Sequence, residues 1–241
     1  MKAFIPLENN PEVMNQLALQ LGLSPALSFH DVYSFDDPDL LSLIPRPAYA
    51  LLVIIPITDA WRRLRTTEDA LKEEYSGSGS EEPVVWFKQT VRGACGLIGL
   101  LHCVCNGPAT DMITPESDLD GFLKDATPLK PAERANLLYE SNALESAHRS
   151  AAVKGDTDAP DVEVRLGMHF VAFVKGKDGH LWELEGGRKG PLDRGLLGGG
   201  DDVLSEKALE LGLKSVMKME QEAGGGDLRF SCVALAPSEK L

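Results

Sequence analysis

The order of its segments predicts that the chain adopts an α+β fold in which one core is flanked by helices. Residues 48–56 form an apolar run that is typical of a strand buried on both faces. Residues 96–105 are apolar almost all round, which is typical of a helix enclosed by other elements. Two strand-like segments, 168–174 and 181–185, flank a Gly-Lys-Asp-Gly turn and predict a β-hairpin. Regular βαβ alternation is missing, which disfavours a parallel sheet.

The remaining elements are predicted from their starts and from apolar spacing. A cap residue followed by proline begins a helix at Pro11, and apolar residues at helical spacing extend it to Leu21. Residues 149–165 show no period, and a stretch of this length is a candidate lid or a disordered segment. The further predictions are helices at 67–75, 114–124, 131–147 and 203–221 and a strand at 228–236.

Composition excludes several classes of protein. The chain has 241 residues, 43% hydrophobic, and 24 Lys+Arg against 37 Asp+Glu give a formal net charge of −13. We expect a single domain over residues 1–241, because no interdomain linker is apparent. Binding to nucleic acid or to an anionic membrane needs clustered Lys and Arg, so neither partner is expected. Basic partners suit this charge better.

The cellular location follows from two further observations. The longest apolar run is half of what a bilayer span needs, and the first residues lack the pattern of a signal peptide. We therefore expect a cytoplasmic protein, with the nucleus as a second compartment. A chain of this length without a secretion signal does not need disulfides. All four cysteines are expected to be free thiols: Cys95, Cys103, Cys105 and Cys232.

Cys95 is the candidate nucleophile. It lies in a glycine-flanked turn that enters the apolar helix, where free backbone N–H groups and the helix dipole favour a thiolate. A buried, unreactive thiol is the alternative interpretation. Cys103 and Cys105 lie inside the apolar run without a second cysteine pair or a histidine pair, so we expect core residues and no metal site.

His169 is the candidate base among five histidines, because it begins a strand of large apolar neighbours. His102 lies on the same helix as Cys95 but two turns away, about 10 Å along the axis, which is out of hydrogen-bond reach. The others lie beside loops, turns or helix ends and are expected on the surface: His30, His148 and His180.

Two further side chains complete the candidate site. If residue 174 pairs with residue 180 across the hairpin, His169 lies directly opposite Glu185. If the numbers of paired residues add up to two more than this, the two side chains are diagonal on the same face. Both geometries permit contact. Two exposed strand glutamates, Glu183 and Glu185, are the alternative. Gln89, six residues before Cys95, can donate its amide to an oxyanion beside the Cys95 N–H. Alone, Gln89 is an ordinary polar residue. The glycine spacings match neither a Rossmann nor a Walker motif, so nucleotide binding is not expected.

This arrangement resembles the ubiquitin C-terminal hydrolases, the papain-like cysteine deubiquitinases, over essentially the whole chain. Cys95 opens the run Cys-Gly-Leu-Ile-Gly-Leu-Leu-His, and Gln89 is followed by threonine, as in that family. Further matching segments are Pro-Leu-Glu-Asn-Asn-Pro-Glu-Val at 6–13, Ile-Pro-Arg-Pro at 44–47, His-Phe at 169–170, Asp-Gly-His-Leu-Trp-Glu-Leu at 178–184 and Leu-Arg-Phe-Ser at 228–231.

The resemblance implies a central, mostly antiparallel six-stranded sheet between helical lobes, in a papain-like fold with a knotted backbone. It implies a thiol-dependent deubiquitinating enzyme, without cofactor or metal, in which Cys95 attacks the carbonyl of ubiquitin's terminal glycine. His169 transfers the proton, Glu185 orients His169, and Gln89 binds the oxyanion. Residues 149–165 match the family's crossover loop, which limits leaving groups to small adducts and short peptide extensions. We expect a monomer.

Two positions depart from the family pattern. The acid is usually the Asp of Glu-Leu-Asp-Gly, whereas this chain has Glu185 in Glu-Leu-Glu-Gly. Many members have Asn-Ser before the nucleophile, where this chain has Gly93 and Ala94, so Gln89 is expected to carry more of the oxyanion binding.

Two alternatives stay open. A catalytically weak module that binds ubiquitin is one, and a hydrolase of a ubiquitin-like modifier is the other. The ubiquitin tail Leu-Arg-Leu-Arg-Gly-Gly carries two arginines. With a charge of −13, we expect acidic side chains to line the approach of this tail and the association to be sensitive to salt.

Overall fold

A computed structural model describes residues 2–155, 167–222 and 229–238. Its helices are α1 (Pro11–Leu21), α2 (Pro38–Leu41), α3 (Asp59–Ala70), α4 (Cys95–Val104), α5 (Asp118–Ala126), α6 (Pro131–Glu140), α7 (Asn142–Ala152), α8 (Glu206–Leu211) and α9 (Leu213–Glu222), with a 3-10 helix at Gly107–Met112. Its strands are β1 (Leu27–Asp31), β2 (Ala50–Pro56), β3 (Met168–Lys175), β4 (His180–Leu184), β5 (Leu192–Leu196) and β6 (Ser231–Pro237).

The strands form one six-stranded sheet in the order β1-β6-β2-β3-β4-β5, with every neighbouring pair antiparallel. The α+β class and the antiparallel sheet are therefore confirmed. The central strand β2 is buried on both faces, as its apolar run predicts. Ala50 and Leu52 pack with the core that includes α1 and α4, whereas Leu51 and Val53 pack with the core that includes α8 and α9.

The helix α4 packs directly on the sheet through a glycine face. A Cβ at Gly99 would lie 2.6 Å from Leu52 Cδ1, and one at Gly96 would lie 3.0 Å from Leu7 Cβ. Gly96 and Gly99 of the Gly-x-x-Gly-x-x-Gly spacing therefore let neighbouring residues approach α4 closely. Every residue of α4 after Cys95 is buried, so the helix is held rigidly between its neighbours.

Several predicted helix boundaries are wrong, because capping residues set where the helices begin. The helix predicted at 67–75 is α3, which begins where the Thr58 side chain accepts the N–H of Trp61. The segment 131–147 contains two helices, because Ser141 caps α7. The helix predicted at 114–124 begins instead after its cap Ser117. The helix predicted at 203–221 is divided into α8 and α9 at Gly212. The sequence did not predict β1, α2, the 3-10 helix or β5.

Other predicted segments begin elsewhere in the structure or lie partly outside the described residues. The predicted strand 48–56 begins at Ala50, and the last strand begins at Ser231, three residues later than predicted, with Leu228 outside the described residues. Residues 149–152 end α7, so the start of the aperiodic segment 149–165 is helical, and its residues from 156 onward lie outside the described part. The backbone knot and the assignment of one domain stay predictions. Among the described helices, none is long and apolar enough to cross a membrane.

Candidate active site

Cys95 is the first residue of α4, as predicted. The preceding Ala94 provides no side-chain cap, so no hydroxyl or carboxylate competes for the first N–H groups of the helix. The backbone N–H groups of Gly96 and Phe170 bind the Cys95 sulfur, and both interactions favour the thiolate. The local sequence therefore places a thiol where a negative charge is stabilised.

Gly93 sets the approach to this helix. Its φ of +75° is in the left-handed region that favours glycine. A Cβ on Gly93 would lie 2.1 Å from the carbonyl oxygen of Phe4, whose N–H donates to the carbonyl of Arg92 at 2.8 Å. The amino-terminal segment therefore occupies the space that a side chain at position 93 would need.

His169 stands on β3 and is held by Glu185, which follows β4. Ala172 pairs with Leu184, which is the second of the two predicted registers. His169 and Glu185 are therefore diagonal on one face of the hairpin. His169 Nε2 lies 2.6 Å from Glu185 Oε1, which leaves Nδ1 as the ring nitrogen for the hydrogen bond with Cys95. The His169 side chain is 13% exposed and that of Glu185 is 1% exposed. The alternative of two exposed glutamates is wrong.

The charges of these three side chains stabilise one another. Burial disfavours the thiolate, but the hydrogen bond and charge of His169 hold the pKa of Cys95 below its usual value. Burial also disfavours the imidazolium, but the hydrogen bonds to Cys95 and Glu185 raise the pKa of His169 to about 10. Burial favours the neutral form of Glu185, but His169 and, to a smaller extent, Arg65 hold the pKa of Glu185 below its usual value. These directions favour a thiolate–imidazolium pair beside a carboxylate.

Gln89 lies against the loop that carries Glu185. Its backbone N–H donates to the carbonyl of Gly186 at 2.7 Å, and its side-chain Nε2 donates to the carbonyl of Val91 at 3.3 Å. An amide nitrogen has two hydrogens, so one stays available for another acceptor. Gln89 Oε1 is buried and accepts no hydrogen bond from the described residues.

The other cysteines and histidines lie outside this site. Cys103, Cys105 and Cys232 are buried, and burial raises the pKa of each thiol well above its usual value. Cys103 and Cys105 are therefore core residues, as predicted. All four cysteines are free thiols, as expected. In the described part of the chain, no group of His, Cys, Asp and Glu is suited to bind a metal ion.

The surface prediction for His148 is wrong, because its ring is buried against the Ile5 carbonyl at 2.7 Å and burial lowers its pKa to about 4. His102 is a core residue that accepts the N–H of Phe87 at 3.0 Å, and burial lowers its pKa to about 3. His30 is partly buried on β1, where it lies 3.1 Å from the Pro237 carbonyl, and half-exposed His180 pairs with Asp193 at 2.9 Å.

Comparisons with known proteins identify the family. The model of ubiquitin carboxyl-terminal hydrolase family 1 matches residues 4–218. Ubiquitin carboxyl-terminal hydrolase 3 of Arabidopsis thaliana is 35% identical over 98% of this chain and 94% of its own. The isozyme L1 of Monodelphis domestica is 32% identical over 95% of this chain and 96% of its own. The chain belongs to ubiquitin carboxyl-terminal hydrolase family 1.

As a family 1 hydrolase, the chain is a thiol-dependent peptidase, as the sequence predicts. Its fold is similar to the catalytic domain of Trichinella spiralis UCH37, with a TM-score of 0.73 at 17% identity over 99% of this chain and 97% of that one. That catalytic domain was crystallised bound to ubiquitin vinyl methyl ester. The likeness confirms the papain-like fold.

This family 1 hydrolase is expected to keep its activity across neutral pH. Activity falls as pH decreases through the pKa of Cys95, because the thiolate is protonated, and that pKa is lowered. Activity also falls as pH rises through the pKa of His169, about 10, because the imidazolium loses the proton that the leaving group needs. The two limbs belong to the coupled pair.

The measurement is kcat/KM against pH, together with the rate at which a small haloacetamide alkylates Cys95. The other three cysteines are buried, so intact mass reports Cys95 alone. An alkylation rate that rises only at the ordinary pKa of a cysteine would contradict the ion pair.

Three residues that the sequence does not predict also lie at this site: Trp61, Arg65 and Gly187. Arg65 Nε lies 3.1 Å from Glu185 Oε2, and the Gly187 N–H donates to Glu185 Oε1 at 2.7 Å. The ring centroids of Trp61 and His169 are 5.9 Å apart. No local sequence signal points to Arg65, because its contact with Glu185 depends on how α3 packs against the β3–β4 hairpin. The helix predicted at 67–75 contains neither Arg65 nor Trp61, whereas α3 contains both.

Proposed function

We propose that this chain hydrolyses the bond at the carboxyl-terminal glycine of ubiquitin through a thioester acyl-enzyme. The observation that carries the proposal is His169, which hydrogen-bonds Cys95 on one side and lies 2.6 Å from Glu185 on the other. This is the order nucleophile, base and orienting acid that acyl transfer requires. A module that only bound ubiquitin would not need a thiolate, which favours the enzyme over that alternative.

Each side chain has one task in the proposed reaction. The Cys95 thiolate attacks the glycine carbonyl, and the Cys95 N–H and the Gln89 amide bind the oxyanion. The His169 imidazolium gives its proton to the leaving amine as the tetrahedral intermediate collapses to a thioester. The neutral His169 then takes a proton from water, which attacks the thioester and releases ubiquitin. Glu185 fixes the ring throughout.

We propose small adducts and short peptide extensions as leaving groups. The support is the resemblance of residues 149–165 to a crossover loop, of which residues 149–155 are described and the rest lie outside the described part. The predicted location is the cytoplasm, with the nucleus as a second compartment, and four free thiols suit both reducing compartments.

The experiment is hydrolysis of a fluorogenic ubiquitin carboxyl-terminal amide by the wild type and by Cys95→Ala. We expect turnover by the wild type and none by the variant, with Cys232→Ala as a control that removes a buried thiol and keeps the activity. The corresponding amides of ubiquitin-like modifiers, assayed in parallel, separate ubiquitin from that alternative. Turnover that survives in Cys95→Ala, or its absence from the wild type, would reject the proposal.

Association with ubiquitin is expected to weaken as salt concentration rises. The formal charge of −13 attracts the two arginines of the ubiquitin tail. Ions at 0.1 M screen exposed charges beyond about 10 Å. We expect kcat/KM to fall by roughly three- to tenfold from low to moderate salt, with kcat unchanged. A flat kcat/KM would show that the acidity serves only solubility.

A further inference from the structure

Glu185 is a buried carboxylate with its two oxygens in different surroundings. Oε1 lies 2.6 Å from His169 Nε2 and accepts the Gly187 N–H at 2.7 Å. Oε2 accepts no hydrogen bond from the described residues but lies 3.1 Å from Arg65 Nε, as an ion pair. With the Glu185 side chain 1% exposed, water contributes little to the solvation of this charge.

Arg65 lies in a layer of rings and charges behind the reacting groups. Its guanidinium carbon is 5.2 Å from the centre of the Trp61 ring, and the Trp61 ring centre is 5.9 Å from that of His169. Arg65 and Trp61 therefore enclose the His169–Glu185 pair on the side of α3. Both come from the first two turns of this helix.

The loop after β4 is shaped to admit the guanidinium. A Cβ on Gly187 would lie 2.7 Å from Arg65 Nη2 and 2.7 Å from Glu185 Oε1. Because an L side chain at position 187 would collide with both groups, glycine keeps the arginine and the carboxylate in contact.

The helix that carries Arg65 is itself anchored to this loop. The buried Arg188 lies 2.6 Å from Glu68 Oε2 and 3.1 Å from Asp69 Oδ1, both on α3. Arg194 of β5 lies 2.7 Å from the other oxygen of Glu68. The position of Arg65 relative to Glu185 is thus set by partly buried ion pairs and not by the arginine alone.

We propose that Arg65 is a positioning residue, which keeps Glu185 ionised and fixed while His169 loses and regains its proton. The inference rests on the proposed hydrolysis. In the resting site His169 is a cation beside Glu185, but in the acyl-enzyme His169 is neutral. Arg65 is then the cation that the described structure places at ion-pair distance from Glu185. Holding Oε2 also fixes the additional rotatable bond of this glutamate, so that Oε1 stays on His169.

The test compares Arg65→Gln, Arg65→Lys and Arg62→Gln with the fluorogenic ubiquitin amide. Arg62→Gln is the matched control, because it removes the same charge from the same helix. The Arg62 side chain is 61% exposed and pairs with Asp59. We expect Arg65→Gln to lower kcat by about ten- to a hundredfold, the usual cost of losing a group behind a functional side chain, without changing KM. Arg62→Gln should keep the wild-type kcat, and Arg65→Lys should recover part of the loss.

The pH profile separates positioning from general loosening of the structure. Removal of a nearby positive charge raises the pKa of both Cys95 and His169, so both limbs of the Arg65→Gln profile should move to higher pH. Arg65→Lys should bring them back, and Arg62→Gln should not move them. Thermal unfolding of each variant shows whether the fold is kept, and the lysine variant keeps the test decisive if the glutamine variant unfolds.

Alkylation of Cys95 by a small haloacetamide repeats the pH test without any ubiquitin substrate. An alkylation profile that moves to higher pH in Arg65→Gln supports the role of Arg65 even if no amide is hydrolysed, in which case only the proposed function fails. An unshifted alkylation profile with a wild-type kcat overturns the role of Arg65. Equal losses in Arg65→Gln and Arg62→Gln also overturn it.

Discussion

Replacement of Glu185 with alanine is expected to lower kcat by up to about 10⁴-fold, the loss that follows when the acid of a serine triad no longer directs its histidine. The structural reason is the 2.6 Å contact from His169 Nε2 to Glu185 Oε1, which fixes both the ring and its tautomer. The variant also leaves Arg65 beside an empty, buried site. Because Glu185 acts on the proton carrier and not on ubiquitin, KM should change little.

Glu185→Asp is the informative partner of that variant. Aspartate keeps the charge for His169 and Arg65 but is shorter by one methylene, and we expect it to be at least about a hundredfold more active than alanine. The loop has limited freedom to follow, since Trp86 Nε1 donates to the Glu185 carbonyl at 3.2 Å and the Gln89 N–H donates to Gly186. Steady-state kinetics and thermal unfolding of both variants provide the measurement. An alanine variant with unimpaired kcat would show that Glu185 does not orient His169.

Elements with a local signal were predictable from the sequence. The helix α1 has a cap followed by proline, β2 is a continuous apolar run, and the hairpin of β3 and β4 has a glycine turn. The helix α3 has the cap Thr58 but a weak apolar pattern, because only Ala60 and Trp61 are buried along its twelve residues. Its position depends on ion pairs to residues more than a hundred positions away, which no local pattern records.

The candidate site divides in the same way. The positions of Cys95 at a helix start and of His169 in an apolar strand are local properties, and the hairpin left two registers for Glu185, both of which allow contact. The structure has the diagonal register, in which the longer glutamate side chain reaches His169. Arg65 depends on how α3 packs against that hairpin, so its contact was visible only in the structure.

Gln89 is the side chain that we propose to bind the oxyanion of the substrate. One of its two amide hydrogens is donated to the Val91 carbonyl at 3.3 Å, so the other is available for a further acceptor. In many family members the residue at position 93 is asparagine, but here Gly93 has a left-handed φ and its Cβ direction is blocked by the Phe4 carbonyl. Because Gly93 has no side chain to donate, we propose Gln89 as the side-chain donor to the oxyanion beside the Cys95 N–H.

Gln89→Ala is expected to lower kcat by about 10²- to 10³-fold, the usual cost of removing one donor to an oxyanion, with KM unchanged. The rate at which a haloacetamide alkylates Cys95 distinguishes this role from damage to the ion pair. Alkylation displaces a halide at carbon and forms no oxyanion, so Gln89→Ala should alkylate at the wild-type rate and pH. Glu185→Ala should slow alkylation, because the thiolate loses support from His169. Slowed alkylation in Gln89→Ala, or a wild-type kcat, would contradict the assignment of Gln89 to the oxyanion.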